Sequence, residues 1–527
     1  MFKSNEYYDW KVIWRSIFTI LAVFAAMKVS RGAGFVVLVP FVLMALFQSQ
    51  MRKMLFWILL TNLLVVTNDY FAPKGFIFSV GYRALLTGVG LYGILQFFSL
   101  RSSRFVLPLL GIFAYLFYMI IPSLQGFAPK VSCLKLILFS ATYMMFAFVS
   151  TKAQATKTLD MRQVRSMLLA FCIIYIAGSV LVYPFPGISM MNAAEMIRSG
   201  GVGTSLYKGM TNHSQTLGMF MCCWSCFLLA DLLFNVQKPD KLYIGLLICS
   251  VFLVVKTSSR TAMGSFLVTV VFLTYCMMLI RGVNSRWKSK VVSSLTLFFV
   301  LAGAAVIAIP SVRDAVARKA LKWTSVETKA ESFDMEKAVS SRAGLVELSL
   351  YLWRLKPMIG WGFQVSPQVG EMERKSGGLV LTAPVEKGVW VTAILEEGGV
   401  LGEIIYVCYV IFAFWMLMIK RAYMGATVFM LIHVANLGEF TMFSMSGVGC
   451  IWYGVLFVSL IFDAKRQQGA MGGSRPRGPV MGPPVGPGGQ PLLIPHIGRF
   501  VPPPMPDRGR ERHGKKDGPQ FAIEMKS

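Results

Sequence analysis

Apolar runs of about 15 to 21 residues recur along most of the chain, separated by short polar stretches, and runs of that length have few homes in water. Each can cross, or nearly cross, a hydrocarbon layer of about 30 Å as an α-helix, which satisfies its own backbone N–H and C=O groups. Candidate spans fall at 12–27, 34–47, 54–67, 80–98, 105–121, 133–149, 166–183, 214–234, 242–256, 262–280, 291–310, 396–419, 422–436 and 447–462. Several are short for a bilayer, so the pattern predicts an all-α, polytopic transmembrane helical bundle of 12 to 14 spans. The 55% apolar content and mean hydropathy of +0.60 exclude an ordinary soluble domain. Lys3, Lys11 and Arg15 precede the first run as in a leader peptide, but the run leads into Lys28 and more apolar sequence, so it reads as a retained helix.

The formal charge of +27 would point to nucleic acid in a soluble protein. Here the basic residues sit in short loops and in the tail, where the positive-inside rule accounts for them, and no nucleic acid is implied. With the N-terminus in the cytoplasm, the inner loops carry Arg52 and Lys53, Arg101 and Arg104, Lys152 to Arg165, Lys238 and Lys241, Arg281 to Lys290, and Lys420 with Arg421. That parity leaves 184–213, the turn near Arg260 and the long interval 311–388 outside. The nine cysteines show neither metal-ligand spacing nor a disulfide framework and read as small buried apolar residues.

The interval 311–388 is the one long polar stretch between apolar runs. Arg313 to Lys387 holds 12 basic and 9 acidic residues, so it is no strong polyanion surface. Ser311 to Lys337 reads as one or two solvated helices. Leu345, Leu348, Leu352 and Leu355 then recur at helical period, with Arg342 at the helix start and Pro357 as its stop. Gly360 and Gly362 permit tight turns, and Trp353 and Trp361 either stack on sugars or seat the segment at the lipid interface. Beyond Glu386, Lys387 and Gly388 come Glu396, Glu397 and Glu403, carboxylates too costly to face lipid, so some must face the interior or lie outside the hydrocarbon.

Elsewhere, Arg260 in Thr257-Ser258-Ser259-Arg260 either anchors a span by snorkelling or binds an anionic headgroup. The 184–213 loop, broken by Pro and Gly around a short helix near Asn192 to Arg198, is either a connector or part of a site; Lys208, Asn212 and His213 end it. His433 and Asn436 lie in a late span with Glu439 just beyond. From 465 to 527 the composition becomes rich in Pro and Gly, with 11 basic and 4 acidic residues, as in a disordered cytoplasmic tail drawn to anionic lipid headgroups.

In order, Lys208-Gly209-Met210-Thr211-Asn212-His213, Thr257-Ser258-Ser259-Arg260, Ser340-Ser341-Arg342, Pro357-Met358-Ile359-Gly360-Trp361-Gly362 and Leu395-Glu396-Glu397-Gly398-Gly399-Val400-Leu401-Gly402 resemble the O-antigen ligase and O-antigen polymerase superfamily of bacterial inner-membrane proteins. The motifs cover residues 200 to 410, and the span pattern covers 1 to 462. The resemblance implies inverting, metal-independent and cofactor-free glycosyl transfer on the outer side of that membrane. It implies a glycan on undecaprenyl pyrophosphate as donor, and lipid A core or a second lipid-linked glycan as acceptor. Arg260 and Arg342 take the places of arginines that hold the donor pyrophosphate, and guanidiniums can stabilise that leaving group without a metal.

One departure stands out. Many members carry a histidine nine residues before the glutamate of the last motif, and counting back from Glu397 reaches Gly388. Glu386 is then the candidate to orient or deprotonate the acceptor hydroxyl, with His213 a second candidate. Lys208, Asn212, His213, Trp361, Lys387 and Glu397 are the candidate substrate-binding residues. The alternative is a transporter or a non-catalytic component of a polysaccharide assembly complex; a transporter would favour an internal repeat with paired broken helices, which the sequence does not display.

Overall fold

The computed structural model describes residues 7–30, 34–47, 50–97, 104–155, 159–191, 206–236, 240–257, 259–279, 288–297, 308–309, 342–367, 387–444 and 447–473. Their helices are α1 (Trp10–Ser30), α2 (Gly34–Phe47), α3 (Met51–Val66), α4 (Phe76–Phe97), α5 (Ile112–Tyr118), α6 (Ile120–Gln125), α7 (Pro129–Ala155), α8 (Met161–Leu181), the single turn α9 (Pro186–Ser189), α10 (Ser214–Phe234), α11 (Lys241–Lys256), α12 (Arg260–Leu279), α13 (Arg342–Leu355), α14 (Trp390–Ile419), α15 (Tyr423–Ala435) and α16 (Val448–Gly473). Apart from 291–310, described only in part, each candidate span carries helix. Eight stretches among the described residues are long and apolar enough to cross a membrane, so the protein is an all-α, multi-pass membrane protein.

Large apolar side chains cover the outer face: Phe18, Leu95, Phe117, Leu181, Ile248 and Trp415 are each more than 60% exposed, an arrangement that lipid rather than water supports. At the centre, 19 of the 21 residues of α10 are buried. Its Gly218, Cys222, Cys223, Ser225 and Cys226 let neighbouring helices come close, and Ser225 Oγ donates to Ser250 Oγ on α11 at 2.8 Å. Around Phe443, the rings of Tyr115, Phe139, Phe363 and Tyr406 pack with centroids 5.3 to 5.5 Å away.

Packing sorts the connections onto two ends. At one, the Arg165 guanidinium grips Asp231 with two bonds of 2.7 and 2.9 Å, and Tyr243 and Asn235 also donate to that carboxylate. Tyr8 donates to Asp240, which caps α11, and Lys420 donates to the Arg104 carbonyl. These are loops expected to be basic and on one side. At the other end, Thr67 bridges Thr211, Met190 bridges Tyr207, and Phe127 donates to the Trp361 carbonyl at 3.2 Å.

Two boundaries differ from expectation. Leu345, Leu348 and Leu352 are buried, but Leu355 is 55% exposed, because α13 ends there and the chain turns at Pro357. The last helix runs through Gly473, past the change of composition at Lys465. The expected helices at 192–198 and 311–337, and the tail beyond 473, lie outside the described residues.

Candidate functional site

Two glycine-containing stretches of the sequence meet at the second end of the bundle. α14 is interrupted at Gly399, whose φ of 65° and ψ of −168° are not helical. A break inside an apolar helix strands backbone groups that lipid cannot satisfy. Residues 357–362 supply the partners. Trp361 N–H donates to the Glu396 carbonyl and Gly362 N–H to the Glu397 carbonyl, both at 2.9 Å, while Val400 N–H donates to the Pro357 carbonyl at 2.9 Å. The Tyr118 hydroxyl donates to the Gly398 carbonyl at 2.7 Å.

Glycine is required on both sides of this contact. Gly360 has a φ of 67°, and a Cβ there would lie 2.5 Å from the Glu397 carbonyl carbon; Gly399 would set a Cβ 2.6 Å from the Ile359 nitrogen. The segment is fastened further along by the Ser132 hydroxyl on the Phe363 carbonyl and by Lys135 Nζ on the Gln364 carbonyl. Gln364 holds a positive φ of 54° without being glycine, a conformation costing about 1–2 kcal/mol.

Behind the break lies a buried ionic cluster. Lys387 Nζ reaches Glu396 Oε1 at 3.2 Å and Glu397 Oε1 at 3.0 Å, and donates to the Val365 carbonyl at 2.8 Å. Ser349 of α13 donates to Glu396 Oε2 at 2.7 Å. All four side chains are at most 2% exposed. Charges this dry persist where they are paired, and the Lys387 ion pairs with the Ser349 bond tie α13, the 357–366 segment and the start of α14 into one body.

A small pocket opens nearby, lined by His213, Gln215, Thr216 and Met219 from the start of α10 and by Glu439, Phe440, Thr441 and Val448 from the turn between α15 and α16. Its volume is about 290 Å³. His213 caps α10, its Nδ1 accepting the Gln215 N–H at 3.2 Å. The facing turn is ordered by Asn436, whose Oδ1 accepts the N–H of Thr441 at 2.6 Å and of Met442 at 2.9 Å. The Asn436 carbonyl accepts from Trp390 N–H, joining the turn to the start of α14. A Cβ on Gly438 would meet the Thr261 side chain, and one on Gly218 would lie 2.8 Å from Ser259 Cβ, so the first turn of α12 with Arg260 borders the same region.

The candidate residues are distributed as follows. Arg260 is exposed at the first position of α12. Arg342 begins α13, with its side chain outside the described residues, as is the whole of Glu386. Lys387 and Glu397 are brought together in the ionic cluster. Trp361 donates from Nε1 to the Leu352 carbonyl at 2.8 Å, and Lys356 Nζ lies 4.5 Å from its ring centroid. Lys208 is buried and Asn212 exposed, its N–H on the Val66 carbonyl at 3.0 Å. Gly388 has a φ of 78°, so a histidine in its place would be strained. His433 is a satisfied core histidine, between the Tyr406 hydroxyl at 3.1 Å and the Phe429 carbonyl at 2.8 Å.

At the same end of the bundle, burial pushes the Tyr207 phenol up to about 12, and its hydroxyl donates to the Ser179 carbonyl. Burial also lowers the pKa of the Lys74 ammonium, against the pull of Asp69 at 3.1 Å. Sequence reasoning missed Ser349, Gln364 and the partner role of Asn436, and it left Glu439 as an unassigned charge beside a span. No protein-family model matches the chain, and no curated protein matches it significantly.

Proposed function

We propose that the protein is a glycan ligase or polymerase of the O-antigen ligase and polymerase type, in the bacterial inner membrane with both termini cytoplasmic. It transfers a glycan from undecaprenyl pyrophosphate to lipid A core or to a second lipid-linked glycan on the outer side, by inverting, metal-independent chemistry. The observation that carries this reading is the interlock between 357–362 and the α14 break: two of the motifs that carry the resemblance form one structural unit. The middle of α13, the helix that begins at Arg342, is tied to that unit through Ser349. Two guanidiniums, those of Arg260 and Arg342, would hold the pyrophosphate where charge develops as it leaves.

The test compares surface glycan profiles in a strain lacking the chain, complemented with wild type, Arg342→Ala, Arg260→Ala or Glu386→Gln. Loss of transferred glycan with accumulation of lipid-linked donor on the outer leaflet is expected for the arginine variants. Normal glycan in all three variants overturns the reading.

One observation favours a second reading. An interrupted helix with buried charges at its break is a device of transporters as well. Transport is distinguished in the same strain, because its loss strands the lipid-linked glycan on the inner leaflet. A non-catalytic role in an assembly complex would leave purified protein without transferase activity.

A further inference from the structure

Glu403 is the carboxylate of α14 that the ionic cluster leaves out. It stands one turn past the break at Gly399, in the part of the helix that continues unbroken to Ile419 for about 30 Å, with Lys420 and Arg421 beyond the far end. That length matches a hydrocarbon layer, so Glu403 lies about 5 Å inside its edge, at a depth that a lipid headgroup reaches. Leu401 and Ile404 beside it, and Met358 across the Gly399 contact, are exposed apolar side chains of the kind that lipid covers. Glu403 itself is partly exposed, and its Oε2 is buried with no hydrogen-bond partner. Toward the interior it acts electrostatically on the phenols of Tyr115 and Tyr406. Neither brings a positive charge. The Tyr406 hydroxyl is engaged with His433 and the Met442 sulfur, and the hydroxyl of Tyr115, a side chain 0% exposed, is itself without a hydrogen-bond partner. Lys387 is committed to Glu396 and Glu397, and among the described residues no other cation pairs with Glu403. A carboxylate at the edge of the hydrocarbon is costly without a counter-charge, and no described residue supplies one.

We propose that Glu403 binds the primary ammonium headgroup of an aminophospholipid. The ammonium carries one positive charge and three N–H donors. It donates to the carboxylate and neutralises the charge that the exposed and buried oxygens share. The acyl chains lie along the exposed stripe of α14 that Leu401, Ile404, Ile411 and Trp415 form at helical period. A quaternary ammonium such as choline has no N–H to donate and holds its charge farther off, so the site discriminates between the two headgroups. Binding here is independent of glycan transfer: it sets a membrane lipid one turn from the interlock at Gly399 and completes the polar contacts of α14 from outside the protein.

Native mass spectrometry of the detergent-purified full-length protein tests this, by titration with phosphatidylethanolamine and with phosphatidylcholine of the same acyl chains. One charge-assisted hydrogen bond is worth about tenfold or more in affinity, so wild type is expected to bind phosphatidylethanolamine at least tenfold more tightly. A smaller wild-type preference overturns the proposal. Glu403→Gln is expected to cut the preference at least threefold with unchanged elution, and a smaller reduction overturns the assignment to Glu403. If Glu403→Gln elutes abnormally, wild type with N,N-dimethyl phosphatidylethanolamine decides, since that headgroup keeps one N–H. Binding at least threefold tighter than phosphatidylcholine then supports the site, and binding equal to it overturns the site. Thermal midpoints distinguish a lipid from a free cation. A rise of the wild-type midpoint with sodium chloride, relative to choline chloride, that equals the rise with phosphatidylethanolamine assigns the site to a free cation and overturns the lipid; a smaller rise supports the lipid.

Discussion

Gly360 packs so closely on Glu397 that no Cβ fits between them: one built there would stand 2.5 Å from the Glu397 carbonyl carbon and oxygen. Alanine at Gly360 must both adopt a positive φ and push α14 away. The two costs together are about 2–5 kcal/mol. Gly360→Ala and Gly399→Ala are each expected to lower the thermal midpoint and the yield of monodisperse protein in detergent, whereas Gly245→Ala, with open space around it, leaves both unchanged.

Lys387 sets one ammonium against two buried carboxylates. Removing one partner of a buried pair costs about 3–5 kcal/mol, so Lys387→Met should destabilise by about that much. Adding Glu397→Gln should recover part of the loss, because the glutamine is uncharged. A double-mutant cycle on unfolding midpoints measures the coupling; strictly additive effects contradict the cluster.

At the opposite end, Asp231 accepts from Arg165, Tyr243 and Asn235. Asp231→Ala leaves a buried guanidinium unpaired, and a loss of about 3–5 kcal/mol is expected. Arg165→Met combined with Asp231→Leu should be more stable than Asp231→Ala alone. Thermal unfolding in matched detergent checks the order.

Asn436 orders the turn that carries Glu439 through the N–H groups of Thr441 and Met442. Each buried donor left without a partner costs about 1–3 kcal/mol. The Thr441 N–H keeps the Glu439 carbonyl at 3.0 Å, so Asn436→Ala leaves the Met442 N–H without its acceptor and is expected to destabilise by about 1–3 kcal/mol. Asn436→Asp, which keeps an acceptor, should retain more of the stability, and equal falls in the thermal midpoint of the two variants would refute this role.

The helices were legible because hydropathy and the 3.6-residue period are local properties, and Leu345, Leu348 and Leu352 show the period faithfully. The two ends of the bundle were legible in the alternation of basic loops with span parity. Gly360 and Gly399 were each readable as turn-formers, yet their contact was not, since a glycine's sequence position does not say what presses against it. Lys387 and Glu397 were readable as charges too costly for lipid, but only the break in α14 makes them partners. Glu439 resembles any carboxylate at a helix end until Asn436 folds its turn over the start of α10.

The interruption of α14 also bears on how the chain is put into the membrane. Its first turns cannot settle as an ordinary span, because the carbonyls of Glu396 and Glu397 wait for amides from Trp361 and Gly362. Those amides precede α14 in the chain and so leave the ribosome first. Biogenesis therefore has an order built in: the 357–366 segment must already stand at its end of the bundle when α14 leaves the insertion machinery, and a chain cut just before Pro357 and expressed from there lacks the α13 serine that completes the ionic cluster.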